Sequence, residues 1–100
     1  MALIPTVLAQ ISQIDNRWEV IGDLVIGAVP ALLEASKSLS ITHNAAVDFA
    51  KVTDIDTSTI SLIFEWKRRA QKENQALKFV NLPANLTTLT QLYGVAELIN

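Results

Sequence analysis

The first rhythm in the chain has a period of two. Val7, Ala9 and Ile11 alternate with Leu8, Gln10 and Ser12, and Asp15-Asn16 supplies turn residues ahead of Trp18-Glu19-Val20-Ile21. Successive side chains of a strand point to opposite faces, so this pattern predicts two short strands joined as a hairpin. Gly22-Asp23 breaks the run, and beyond it the period lengthens. Ile26, Val29, Leu32, Leu33 and Ser36 recur at helical spacing, with Pro30 near the first turn, where a helix tolerates a missing N–H. A helix over about 28–39 is the expectation.

Ile41-Thr42-His43-Asn44 reads as a polar turn, and Ala45-Ala46-Val47-Asp48-Phe49 as a central strand buried on both faces. Asp54-Ile55-Asp56-Thr57-Ser58 then concentrates helix-capping residues just before a helical pattern from about 58 to 73. Lys78-Phe79-Val80-Asn81 suits a further strand. Pro83 opens a last helix with Leu86, Leu89 and Leu92 as its buried stripe, Gly94 stops it, and Val95 to Ile99 closes the chain. Strand and helix alternate after the hairpin. This predicts an α/β fold: one domain over residues 1–100, with a mixed four-to-five-stranded sheet and helices packed on it.

Composition narrows the function classes. A chain of 100 residues can bury one modest core. Half of its residues are hydrophobic and 18% are charged, which excludes a disordered segment. The apolar excess has two explanations, a dense two-layer core or a surface that a partner covers. A net charge of −2 and a pI near 5.2 argue against sequence-independent nucleic-acid binding, which needs a concentrated basic surface. Lys67, Arg68, Arg69 and Lys72 cluster, but with Glu65 and Glu73 among them they read as a solvated helix face. Cysteine is absent, so thiolate and disulfide chemistry is closed and the cytoplasm is the default compartment. Met1 to Val7 lacks the basic region and continuous apolar stretch of an export signal, and no run approaches the roughly 20 apolar residues that span a bilayer.

Catalytic constellations are missing as well. His43 is the single histidine and cannot build a histidine metal site. Asp48, Asp54 and Asp56 lie at strand ends without a second catalytic component, and neither a phosphate loop nor a dinucleotide fingerprint appears. The expectation is a binding protein, with no cofactor, metal or small-molecule substrate.

The most informative stretch runs from Val47 to Ile60: a buried strand, a short loop, then hydroxyls and a carboxylate at a helix N-terminus. Free amides and the positive end of the helix dipole favour an acceptor oxygen or a phosphate at Thr57 or Ser58. The same residues also serve as an ordinary cap, and both readings stand at this point. In the following helix Ile60, Ile63, Phe64 and Ala70 share one side, and Leu62 and Trp66 widen the apolar arc to roughly 200°, beyond the roughly 100° that core packing needs. Either a partner covers one edge or Trp66 is wholly core; Arg69 and Glu73 form a polar rim beside it.

This stretch resembles the STAS-domain pattern, in which a strand ending Asp-Leu-Ser leads to Asp-Ser-Ser-Gly-Leu at a helix start. Asp48-Phe49-Ala50 and Asp56-Thr57-Ser58-Thr59-Ile60 occupy those positions. Trp18 to Leu24 is similar to the family's second strand with its Gly-Glu/Asp-Leu ending, and Val29-Pro30-Ala31-Leu32-Leu33 to its first helix. Thr after Asp56, together with Phe79 to Leu86 and Leu92-Tyr93-Gly94-Val95, resembles the MlaB-type branch. The resemblance implies a non-catalytic subunit that binds and stabilises an MlaF-like ATPase of an ABC transporter for phospholipids, serving outer-membrane lipid asymmetry. It further implies a place at the inner face of the inner membrane through that complex, and partner contacts at Asp56, Thr57, Ser58, Thr59, Leu62, Trp66 and Arg69. The alternative within the family is an anti-sigma-factor antagonist phosphorylated at Thr57. Thr59 departs from the pattern, which commonly has Gly there, and a β-branched residue is unsuited to positive φ.

Overall fold

A computed structural model describes residues 9–25 and 27–99. Its strands are β1 (Gln10–Ile14), β2 (Arg17–Leu24), β3 (Ala45–Ile55) and β4 (Leu77–Val80). Its helices are α1 (Val29–Ser36), α2 (Thr57–Lys72), α3 (Ala84–Leu92) and α4 (Ala96–Ile99). The sheet order is β1-β2-β3-β4, antiparallel at the hairpin and parallel across β2-β3-β4. A mixed four-stranded sheet with helices packed on it is the architecture that the alternating periods predict.

The hairpin closes at Asp15-Asn16, where Asp15 adopts φ 55, a left-handed conformation that Asp and Asn tolerate better than most residues. Its register sets Ile11 opposite Val20 and Gln13 opposite Trp18. Ala9 and Ile11 pack against the core from this strand, whereas Val7 and Leu8 lie outside the described residues.

The expected break at Gly22-Asp23 does not occur, and β3 runs on to Ile55 instead of ending near Phe49. The register explains both. Between Glu19 and Ile21, and again between Gly22 and Asp23, the pairing with β3 shifts by one residue, so β3 carries the extra length. A β-bulge accommodates such a residue by bending the strand, and Gly22 at φ 101 lies on the facing strand β2 beside the second shift. The glycine marks a bulge within a strand.

Register also separates the two sheet faces. Trp18, Val20 and Leu24 of β2 join Val47, Phe49 and Ile55 of β3 and Phe79 of β4 in the core, with Leu32, Ile60, Ile63 and Leu86 from the helices. On the alternate face Ala46 is half-buried and Asp48 buried, so Ala45–Phe49 is covered on both sides as expected, with the difference that this second face is polar. There Arg17 pairs with Asp48 at 3.4 Å and Lys51 with Glu19 at 3.0 Å. These cations offset the repulsion of Glu19 and Asp48, which stand opposite each other on adjacent strands.

Helix α2 packs against α1 on one side and α3 on the other, with β4 also in contact. Most of the broad apolar arc is therefore covered within the chain, with Phe64 half-buried. In α3 the predicted stripe holds only in part: Leu86 is buried and Leu89 half-buried, but Leu92 is 77% exposed and Thr90 takes the next buried place. At 3.6 residues per turn, a residue six positions on is rotated by about 120°, which carries Leu92 out of the core-facing stripe.

Candidate functional site

The site is built where β3 gives way to α2. Ile55 is the last buried strand residue, and Asp56 keeps extended backbone, φ −141 and ψ −169, as the N-cap. Its Oδ1 accepts the Ser58 amide at 2.8 Å and also the Ser58 hydroxyl. The Thr59 Oγ1 accepts the Asp56 amide at 3.4 Å, completing a reciprocal capping box. Such caps contribute about 1 kcal/mol to a helix start.

Thr59 does a second thing that the sequence did not announce. Its hydroxyl donates to the Leu24 carbonyl at 2.6 Å and is buried, tying the first turn of α2 to the end of β2. Its backbone is helical, so no positive φ is demanded and the β-branched side chain fits. Thr59 is thus a tertiary anchor, and its place as a partner contact is corrected: it has no exposed surface.

Leu62 and Trp66 require the same correction. Leu62 is fully buried and Trp66 is 1% exposed. The Trp66 ring meets Trp18 edge to face, with centroids 5.7 Å apart at 86°, and its Nε1 donates to Ser36 Oγ at 2.9 Å. Of the two readings of Trp66, the core one holds. Arg69 is committed internally too: its guanidinium donates to the Ser36 carbonyl at 2.8 Å, to the Leu39 carbonyl and to Glu73 at 2.7 Å.

What remains at the surface is narrower than the predicted footprint. Thr57 is exposed at the first helical position and takes no part in the cap. Ser58 is half-buried and held by Asp56. Ser61, Glu65, Arg68 and Lys72 continue the exposed face of α2 beyond Thr57. The basic cluster is largely answered along this face, because Arg68 pairs with Glu65, Arg69 with Glu73, and Lys67 donates to the Leu98 carbonyl.

Of the other singled-out carboxylates, Asp48 is a buried linchpin of the polar sheet face. Asn81 Nδ2 donates to it at 3.0 Å and the Ala50 amide at 2.9 Å. These hydrogen bonds, Asn81 first, hold its carboxyl below its ordinary range; burial opposes them, and Arg17 and Lys51 assist. Asp54 accepts the neighbouring Ile55 amide at 2.9 Å. His43 is exposed in the turn before β3. Among the described residues, no three His, Cys, Asp or Glu side chains are grouped to hold a metal ion, and no helix is long and apolar enough to cross a membrane.

Comparison with known proteins meets this geometry from outside. Two structures of the anti-sigma factor antagonist SpoIIAA share the fold. The unphosphorylated form aligns at TM-score 0.60 and 14% identity, covering 84% of this chain and 82% of that one. The phosphorylated form, from Bacillus, aligns at TM-score 0.62 and 15% identity over 89% and 86%. A structure named Mglu aligns at TM-score 0.57 and 23% identity over 75% of this chain and 20% of that one. No curated protein matches the sequence significantly. The family model described as "Mlab, STAS domain" matches residues 8–100. With the capped strand-to-helix turn in place and the match running through nearly the whole chain, the protein belongs to the STAS-domain family, in its MlaB-type branch.

Proposed function

We propose that this one-domain chain is a non-catalytic accessory subunit that docks onto the ATPase of an ABC transporter and stabilises it. The observation that carries the reading is the division of labour at the α2 start. Asp56 and Thr59 make the cap, which leaves the Thr57 hydroxyl exposed and spare. A hydroxyl presented on a rigid helix start, beside backbone held by two strands, is a preorganised contact point for another protein. The MlaB-type family membership supports a phospholipid transporter as the setting, hence a role in lipid asymmetry and a location at the cytoplasmic face of the membrane through the complex.

The docking residues in this reading are Thr57 with Asp56 and Ser58 around it, extended along the exposed face by Ser61. The test is co-expression with such an ATPase and affinity isolation. Thr57→Ala is expected to lower recovery of the complex while leaving the far-ultraviolet circular dichroism spectrum intact. Unchanged recovery removes Thr57 from the interface.

A second reading draws on the same exposed hydroxyl. Phosphorylation of Thr57 would place roughly −1.5 to −2 charge at a helix N-terminus, favourable toward the dipole but opposed by Asp56. In that case the chain acts as an anti-sigma-factor antagonist. Intact mass of protein from its native cell separates the readings, because only the second requires a phosphate on Thr57.

A further inference from the structure

Strand β4 ends the sheet. It pairs with β3 in a register that sets Lys78 beside Ala46 and Phe79 beside Val47, and among the described residues no strand lies on its other side. An edge strand turns a row of amides and carbonyls away from its one neighbour. Among the described residues, the outward groups of Leu77 to Val80 have no hydrogen-bond partner.

A groove of about 280 Å³ runs along the same edge. Leu77, Lys78, Phe79 and Val80, every residue of the strand, line it together with Ile99. Its lining is mostly apolar: Phe79 and Ile99 are buried, and Leu77 and Val80 are half-buried. Unmet main-chain groups beside an apolar groove suit an extended peptide, whose main chain supplies affinity while its alternate side chains supply specificity.

Lys78 decides which peptide. It is the one charged residue of β4, is exposed, and forms no ion pair among the described residues. A lone lysine on an edge guards against pairing with an identical edge. In an antiparallel pair of two β4 strands, Lys78 of each copy would come near its own counterpart, and like charges across strands repel. An acidic residue on a foreign strand meets an unanswered cation instead.

We propose that β4 is an acceptor edge for an extended, acidic segment of a partner protein, which adds as a further strand with an apolar side chain in the groove and a carboxylate toward Lys78. This edge is separate from the Thr57 surface and needs no ATPase as its occupant.

The experiment titrates the isotope-labelled chain with three capped synthetic peptides and follows its amide resonances. The first is Thr-Val-Glu-Val-Thr, the second has Lys in place of Glu, and the third is the Glu peptide with N-methylated main-chain amides. The Glu peptide is expected to shift the resonances of Leu77 to Val80 saturably, and the Lys peptide to bind about tenfold more weakly or less. N-methylation is expected to weaken binding by about fivefold or more, because it removes main-chain donors. Lys78→Glu alters an exposed side chain, so its melting temperature should stay unchanged, and its preference should invert toward the Lys peptide. If no peptide moves the β4 resonances, the acceptor edge is overturned. If the Glu and Lys peptides bind alike, or Lys78→Glu keeps the original preference, the acidic assignment falls. If the β4 resonances shift with protein concentration alone, a second copy occupies the edge, and the assignment to a foreign segment is overturned.

Discussion

The Arg69 guanidinium lies over the Trp18 indole, 5.5 Å from the ring centroid, and so joins α2 to the second strand of the sheet. The same group donates to the carbonyls of Ser36 and Leu39, which close the C-terminal end of α1. Trp18 Nε1 donates to the Ser40 carbonyl at 3.0 Å, and the Gln13 side chain takes the Ser40 amide at 2.9 Å. The segment from Ser36 to Ser40 is thus pinned by β1, β2 and α2 together. This arrangement fixes α1 against α2.

Arg69→Ala removes a cation–π contact, two carbonyl partners and an ion pair at once. A loss of about 2 kcal/mol in urea unfolding is expected. Arg69→Lys keeps the charge but not the planar fork, and should recover less than half of that loss. Equal stability of Arg69→Lys and the unaltered protein would show that geometry contributes nothing.

Trp66 acts as core rather than as an interface residue, so Trp66→Ala should destabilise by about 3–5 kcal/mol. Trp66→Phe retains most of the buried area while losing the bond to Ser36, and it is expected to fold and to bind the partner normally. A folded Trp66→Phe that fails to bind would return this ring to the interface.

Thr57 and Thr59, two residues apart, are expected to respond in opposite ways. Thr59→Ala breaks the bonds to Leu24 and Asp56 and should cost about 1–2 kcal/mol. Thr57→Ala should stay within about 0.5 kcal/mol of the unaltered protein and act on partner binding instead. Chemical denaturation of both variants, followed by the binding assay, reads the two effects separately.

Asp48 gives the fold an acid-side pH dependence. Its carboxyl titrates lower when folded than when unfolded, mainly through Asn81 and the Ala50 amide. Its contribution is therefore fully present above the unfolded value, about 3.9, and is lost as pH falls through the folded one. Stability measured from pH 6 down to about 2 should decline less steeply for Asp48→Asn than for the unaltered chain. Parallel profiles would remove Asp48 from the acid response.

Element type was legible because each period reports its own burial. Alternation at Ala9 and Ile11, helical spacing at Ile60 and Ile63, and the cap residues at Asp56 all act through neighbours within one element, and α2 begins at Thr57, one residue before the predicted start. The capped turn followed from the same local chemistry, and the family pattern assigned it a use. Local chemistry also explains why Gly22 misled: a glycine looks the same whether it ends a strand or permits a bulge.

The sequence by itself determined the order of elements, the position of the strand-to-helix turn and the acidic, cysteine-free character of the chain, because these depend on residues close in sequence. Only the tertiary structure decided which side of each helix is covered. Trp66 and Leu62 were candidates for a partner until α1 and α3 packed on α2, and Thr59 became an anchor only when Leu24, 35 residues away, came within 2.6 Å. An apolar arc states how much surface must leave water. Whether the chain's own helices or a second protein covers it depends on contacts between residues far apart in sequence.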